Sequence, residues 1–106
     1  MSLPQRPRAV ITGAGGGLGR ALSLELARRR GRVLAADIDL DAAEITAAAV
    51  RDAGGEAVAV ACDVSQQAQV EALPGQADAA FGGTDLIINN AGVAAAGPMA
   101  AIPVAD

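Results

Sequence analysis

The sequence contains no histidine, no tyrosine and no lysine, and all eight of its basic residues are arginines. Most side chains that act as general bases near neutral pH are therefore missing. A histidine-based catalytic triad, a lysine Schiff base and the lysine of a phosphate-binding P-loop are all excluded from these 106 residues. Catalysis of these kinds would need residues that the sequence does not contain.

Cysteine is almost absent as well, since Cys62 stands alone. One cysteine excludes an internal disulfide and is consistent with a reducing compartment. We interpret Cys62 as a buried thiol at a strand end, not as a nucleophile. No run of about 20 apolar residues is present to span a membrane, and the first residues lack the apolar segment of a signal peptide. These features favour a cytoplasmic protein.

Basic charge is too sparse for a nucleic-acid interface. The net charge is −4, and the one basic run, residues 28–32, falls at the end of a predicted helix, where cations suit the helix dipole. Apolar residues make up 52% of the chain, which is enough for a folded core. The composition therefore indicates a globular domain whose ligands are small molecules.

Apolar runs and chain breakers alternate along the sequence in the order β-α-β-α-β-α-β. Predicted strands cover residues 8–12, 32–37, 56–64 and 84–92, the last running into a turn; predicted helices cover 18–30, 39–55 and 66–81. The strands lack strict polar alternation, so both faces of the sheet should be covered. Right-handed crossovers then give an α/β fold, a doubly wound parallel sheet of about four strands with helices on both sides.

Particular residues mark where these elements should start, end or break. Gly31 suits a left-handed cap after the first helix, and Ser65 can cap the third. Pro74 lies inside that third helix, where proline costs about 3 kcal/mol, so we expect a kink or two short helices. The residues from Val93 onward are predicted to form a loop, with Pro103 among its breakers.

A cluster of glycines separates the first strand from the first helix. Five glycines occur within residues 13–19, in the stretch TGAGGGLG. At such a position a helix N-terminus offers free N–H groups to an anion, and glycine lets a pyrophosphate come close to them. The same letters also contain the G-x-G-x-G pattern of S-adenosylmethionine methyltransferases, so a methyltransferase remains an alternative.

The spacing T-G-x-x-x-G-x-G, from Thr12 to Gly19, resembles the short-chain dehydrogenase/reductase family. The resemblance implies a Rossmann-type fold and a nicotinamide dinucleotide as cofactor. The resemblance also implies that the cofactor-binding residues of this turn are Gly13, Gly16, Gly17, Leu18 and Gly19.

Three further segments match the family in the same order along the chain. Asp37 ends the second strand, where a carboxylate can accept hydrogen bonds from the adenosine ribose and repel a 2′-phosphate, so it favours NAD over NADP. Ile38 follows it. The resemblance further implies that Asp63 binds the adenine amino group and that Val64 packs on the adenine ring. It also implies that the N-N-A-G segment borders the cofactor ribose and braces the central sheet, with Asn89, Ala91 and Gly92 as its cofactor-binding residues.

The resemblance runs from about Arg8 to Pro98 and stops before the family's catalytic residues. The family's serine and Tyr-x-x-x-Lys pair have no counterpart here, so no catalytic residue is assigned. We therefore expect residues 1–106 to be the cofactor-binding part of an NAD-dependent oxidoreductase. The intact enzyme would transfer hydride between nicotinamide and a small alcohol or carbonyl substrate. A non-catalytic dinucleotide-binding module is the alternative within this fold.

The fourth strand should have an open edge, because no fifth strand is predicted beside it. We expect either that 106 residues are not the natural functional unit, or that two copies form a homo-oligomer by covering each other's edge.

Overall fold

The computed structural model describes residues 5–91 and the backbone of residues 103–105. Its elements alternate as the sequence predicts and end in a short additional strand. They are β1 (Arg8–Thr12), α1 (Gly17–Arg28), β2 (Arg32–Asp37), α2 (Leu40–Asp52), β3 (Glu56–Ala61), α3 (Gln67–Phe81), β4 (Leu86–Asn89) and β5 (Pro103–Ala105).

The strands form a single sheet in the order β3-β2-β1-β4-β5. The first four are parallel, and β1 lies at the centre, so that Val10 pairs with Leu34 of β2 on one side and with Ile87 of β4 on the other. This arrangement confirms the predicted doubly wound parallel sheet. It also brings the carboxyl ends of all four parallel strands to one edge of the sheet.

Helices cover both faces of the sheet, which explains why the strands are apolar throughout. Ala9 and Ile11 of β1 face a core that α1 and α2 close with Leu26, Ala47 and Val50. On the opposite face, α3 packs Leu73 and Ala77 against a second core that includes Val10 and Leu34 of the sheet. Successive side chains of a strand point to opposite faces, so each strand needs apolar residues on both sides.

The end of α1 differs from the prediction that Gly31 adopts the left-handed conformation. Arg30 takes that conformation instead, with φ of 56°. Its N–H donates to the Ala27 carbonyl at 2.9 Å, and the Gly31 N–H donates to Leu26 at 2.9 Å, which together close the helix. Gly31 is required for another reason: a Cβ there would lie 2.8 Å from the Leu26 carbonyl oxygen.

Two predictions about the third helix are wrong: the break at Pro74 and the cap at Ser65. It is continuous through Pro74 and begins after Gln66, while Ser65 uses its hydroxyl to donate to Asp63 Oδ1 at 2.7 Å. Leu73 and Ala77, on either side of the proline, are both buried in the same core. Their packing holds the two halves of the helix in line despite the missing backbone hydrogen bond.

The predicted loop and the predicted open edge of β4 are wrong at residues 103–105. There β5 pairs antiparallel with β4, and Pro103 is opposite Ile88. Proline is tolerated as the first residue of an edge strand, because there its lack of an N–H costs no ladder bond. The rest of the predicted loop, including Pro98, lies outside the described residues.

Two predicted strands are shorter than expected, the third at its C-terminal end and the fourth at both ends. β3 ends at Ala61 and β4 at Asn89, so Asp63, Val64 and Ala91 follow their strands as connecting residues. Within the part of the chain that is described, no helix has the length and apolarity needed to cross a membrane.

Candidate functional site

The glycine-rich turn between β1 and α1 is tied to the neighbouring strand and helix by its backbone. The Ala14 N–H donates to the Ala36 carbonyl of β2 at 3.0 Å. The Ala14 carbonyl accepts from the hydroxyl of Thr46, a fully buried residue of α2, at 2.8 Å. The N–H and carbonyl groups of Ala14 thus fasten the turn to β2 and to α2.

Gly15 is held by two side chains of opposite charge. Its N–H donates to Asp37 Oδ2 at 2.9 Å, and its carbonyl accepts from the Arg20 Nη2 group at 2.8 Å. The Arg20 Nε group donates to Thr46 Oγ1 at 2.9 Å, so one hydroxyl links Arg20 to the carbonyl of Ala14. The turn therefore has its shape set by protein contacts alone.

The glycines of the turn serve different purposes. Gly13 has φ of +65°, and a Cβ on it would lie 2.9 Å from Ala91 Cα. A Cβ on Gly19 would lie only 2.1 Å from the Gly13 carbonyl oxygen, so α1 crosses the turn too closely for any side chain. Around Gly16 and Gly17, by contrast, a Cβ would meet no atom of the described residues within 4 Å.

The open side of the turn coincides with the N-terminus of α1. Gly16 is the N-cap and has no side chain to accept from the N–H groups of the first turn. These groups lack acceptors within the helix and carry the positive end of the helix dipole. Leu18, in the same turn, is 55% exposed. An anion can therefore approach the backbone at Gly16 and Gly17.

Asp37 stands beside this turn at the end of β2. Its Oδ2 atom accepts from the Gly15 N–H, and its Oδ1 atom accepts from the Asp39 N–H at 2.9 Å. A carboxylate offers about four lone-pair sites, so each oxygen keeps one for a further donor.

A cavity of about 260 Å³ opens between the ends of β1, β2, β3 and β4. It brings together six of the residues that the sequence assigns to the cofactor, and adds Cys62. The lining residues are Gly13, Asp37, Ile38, Cys62, Asp63, Val64 and Ala91. Ile38 and Val64 keep exposed apolar surface at its rim.

Two titratable groups after β3 line the cavity. The Ser65 hydroxyl and N–H donate to Asp63 Oδ1, and these hydrogen bonds lower the pKa of Asp63, which keeps the carboxyl ionised. Burial raises the pKa of the Cys62 thiol, and the neighbouring Asp63 charge raises it further. Cys62 is therefore protonated and buried, as its sequence position predicts.

Two asparagines at the end of β4, Asn89 as its last residue and Asn90 directly after it, brace that strand against the turn. Thr12 Oγ1 donates to Asn89 Oδ1 at 3.0 Å and accepts from the Ala91 N–H at 3.1 Å. Asn90 Nδ2 donates to the Gly13 carbonyl at 3.3 Å. The predicted bracing of the sheet is observed.

The remaining predicted residues lie apart from this cavity. Asn89 lines a second, mainly apolar cavity of about 240 Å³ on the α3 side of the sheet. Gly16, Gly17, Leu18 and Gly19 lie at the start of α1, and Gly92 is outside the described residues.

Arg20 and Thr46 were not among the residues that the sequence singled out. Each leaves a signal, however. Arg20 is a cation in the first turn of a helix, where the dipole disfavours it. Thr46 interrupts the alanine-rich buried face of α2 with a hydroxyl.

No group of three or more histidine, cysteine, aspartate or glutamate side chains is placed to hold a metal ion among residues 5–91.

Comparison with known proteins gives one consistent result. A family model described as short chain dehydrogenase matches residues 7–106. A hydroxyacyl-CoA dehydrogenase of Mycobacterium tuberculosis is 47% identical over 90 residues, covering 80% of this chain and 28% of that protein. The 7alpha-hydroxysteroid dehydrogenase of Escherichia coli is 35% identical over 98 residues, covering 92% of this chain and 38% of that protein.

A solved structure extends this result to the fold. The crystal structure of a putative D-mannonate oxidoreductase from Haemophilus influenza, with bound NAD, superposes with a TM-score of 0.75 at 28% identity. The match covers 83% of this chain and 31% of that one. The chain thus spans about a third of the length of the proteins that it matches.

Proposed function

Because this chain belongs to the short-chain dehydrogenase family, we propose that it is the NAD-binding part of an oxidoreductase. The observation that carries the proposal is the open N-terminus of α1 beside a cavity that holds the Asp37 carboxylate. NAD supplies hydride transfer when bound. The substrate would be a small alcohol or carbonyl compound, and the catalytic residues would come from outside these 106 residues.

The turn fits the pyrophosphate of a dinucleotide. The backbone at Gly16 and Gly17 faces open space, and the unpaired N–H groups of the first turn of α1 are suited to phosphate oxygens. A side chain at either position would reduce that space. The backbone of this turn would therefore bind the anion without any lysine or arginine contacting it.

The cavity next to the turn fits an adenosine. Asp37 has lone pairs left for ribose hydroxyls, and its charge would repel a 2′-phosphate. Asp63 would accept from the adenine amino group, with Ile38 and Val64 packing on the ring. The N-N-A-G segment, through Asn89, Ala91 and Gly92, would border the cofactor ribose.

We propose several further features of the whole protein. They are a cytoplasmic location, a partial dinucleotide-binding domain over residues 1–106, and a small-molecule substrate with neither nucleic acid nor membrane as partner. A homo-oligomer is also proposed.

Titration of the chain into NADH and NADPH, with the nicotinamide fluorescence as readout, tests the proposal. The sequence has no tryptophan or tyrosine, so protein emission interferes little. We expect saturable binding with NADH preferred by about tenfold or more, equal to about 1.4 kcal/mol. Asp37→Asn keeps the size of the side chain but removes its charge, so the preference should shrink.

Three results would count against the proposal. Failure of soluble, folded chain to bind NADH or NADPH would refute binding by this part alone. A preference for NADPH would refute the role given to Asp37. Tighter binding of S-adenosylmethionine than of NADH would point to the methyltransferase alternative.

A further inference from the structure

We propose that Arg20 is a positioning residue for the dinucleotide, acting through the carbonyl of Gly15. The inference rests on the proposed function, because the groups that it positions are those at which the pyrophosphate would bind. Arg20 itself donates to protein atoms and does not need to touch the ligand.

The geometry gives Arg20 control over the chain's entry into α1. Its Nη2 group donates to the Gly15 carbonyl at 2.8 Å. The bond from its backbone N–H to the Gly16 carbonyl, at 2.7 Å, is the first main-chain bond of α1 and does not depend on the side chain. A peptide group is planar, so holding the Gly15 carbonyl also fixes the direction of the Gly16 N–H, which donates to the Gly13 carbonyl at 3.4 Å. Gly16 is the N-cap of α1, so the orientation of this peptide sets how the chain enters the helix.

Thr46 keeps the guanidinium in place. Its hydroxyl is fully buried, accepts from Arg20 Nε at 2.9 Å and donates to the Ala14 carbonyl at 2.8 Å. The planar guanidinium thus bridges two fixed acceptors, the Gly15 carbonyl and Thr46 Oγ1. Two hydrogen bonds from one rigid group define its orientation, which a single contact would not.

The charge of Arg20 supports a role toward an anion. A cation in the first turn of a helix opposes the dipole and weakens the isolated helix. Here the first turn contains no acidic residue that would compensate. A bound pyrophosphate would reverse this penalty, because it would place negative charge at the same helix end.

The test compares Arg20→Met with Arg28→Met, two identical substitutions in α1. Arg28 is exposed and contacts Glu25 far from the turn, so its variant controls for net charge and for helix stability. Each variant is titrated with NADH, and with adenosine in competition. Adenosine lacks phosphate and reports on the adenosine cavity alone.

We expect Arg20→Met to bind NADH about tenfold more weakly, as for loss of a hydrogen bond from a charged donor, and adenosine as the parent chain does. Arg28→Met should change neither affinity. Arg20→Lys keeps the charge and can donate to one of the two acceptors, so it should recover part of the NADH affinity. Equal weakening of NADH and adenosine would overturn the proposal, as would unchanged NADH binding in Arg20→Met.

A measurement without ligand separates this inference from the proposed function. The amide ¹H–¹⁵N shifts of Gly15, Gly16 and Gly17 should change in Arg20→Lys and more in Arg20→Met, but not in Arg28→Met. If these shifts stay constant, Arg20 does not position the turn. If the parent chain binds NADH nonetheless, only the role of Arg20 fails. Should Arg20→Met not fold, Arg20→Lys decides by both the shifts and the NADH affinity.

Discussion

Helices α1 and α2 pack side by side on one face of the sheet, but their N-termini are built in opposite ways. α2 starts at Asp39, whose side chain accepts from the Ala42 N–H at 3.2 Å, and Asp41 adds negative charge in its first turn. α1 starts at Gly16 without a side-chain cap or an acidic residue, and has Arg20 in its first turn.

The difference shows which helix end is complete in itself. α2 supplies a side-chain acceptor for the Ala42 N–H and negative charge at the positive end of its dipole. α1 supplies neither a side-chain cap nor an acidic residue at its N-terminus, on the side where Gly16 and Gly17 face open space. A local weakness of this kind, next to a cavity, supports our proposal that an external anion completes the helix.

The largest expected change in stability distinguishes a glycine that is packed against other atoms from a glycine with open space around it. Gly19→Ala places a Cβ 2.1 Å from the Gly13 carbonyl oxygen, so we expect a loss of about 3 kcal/mol or more in the free energy of unfolding. Urea unfolding followed by circular dichroism measures it. Gly17→Ala is the matched control, and its Cβ meets no described atom within 4 Å.

Gly17→Ala should leave stability unchanged or raise it by up to about 1 kcal/mol, because alanine is the better helix former. It should weaken NADH binding, since the methyl group stands where the pyrophosphate would approach. Equal destabilisation by the two substitutions would show that the division between packed and open glycines is wrong.

An intermediate effect should follow from exchanging the two kinds of N-terminus. Asp39→Ala removes the α2 cap and should cost about 1 kcal/mol. Gly16→Asp gives α1 the cap that it lacks and should raise stability by a few tenths of a kcal/mol. The added carboxylate should also repel a phosphate, so NADH affinity should fall in Gly16→Asp and stay constant in Asp39→Ala. Thermal unfolding and NADH titration of both variants check this, and tighter NADH binding by Gly16→Asp would contradict it.

The smallest expected change in stability concerns the C-termini of the same two helices. Both end in the same pair of hydrogen bonds, but the left-handed residue is Gly54 after α2 and Arg30 after α1. Glycine adopts that conformation without the cost that a side chain imposes. Arg30→Gly should therefore stabilise the chain by up to about 1 kcal/mol and leave NADH affinity unchanged. A lower melting temperature for this variant would contradict the expectation.

Local pattern was enough to predict most of the fold. Apolar runs and breakers gave β1 and β2 with their observed bounds, and β3, β4 and the three helices to within a few residues. The prediction failed where distant contacts decide the outcome. Pro74 predicts a break in the helix when only local sequence is considered, but Leu73 and Ala77 on either side of it pack into one core. Likewise, Pro103 reads as a loop residue until its strand is seen beside β4.

The candidate site divides in the same way. Residues that belong to motifs, such as Asp37 and Asp63, could be named from the sequence, and the fold brings them to one cavity. Arg20 and Thr46 leave only the weak signal of a residue type that is unusual at its position, because their partners depend on a contact between α1 and α2 that no local pattern encodes. The different needs of Gly16 and Gly19 were equally hidden, since only the packed chain shows which glycine has space around it.

The bond from Asn90 to the Gly13 carbonyl joins residues 77 positions apart, and so does the bond from Thr12 to Asn89. The central strand of the sheet precedes its β4 neighbour in the chain by α1, β2, α2, β3 and α3, so these two bonds can form only after those elements are synthesised. Contacts of such long sequence separation slow folding, because the intervening chain must be ordered before they form. The turn is therefore completed only when a segment 77 positions further along the chain has folded onto it.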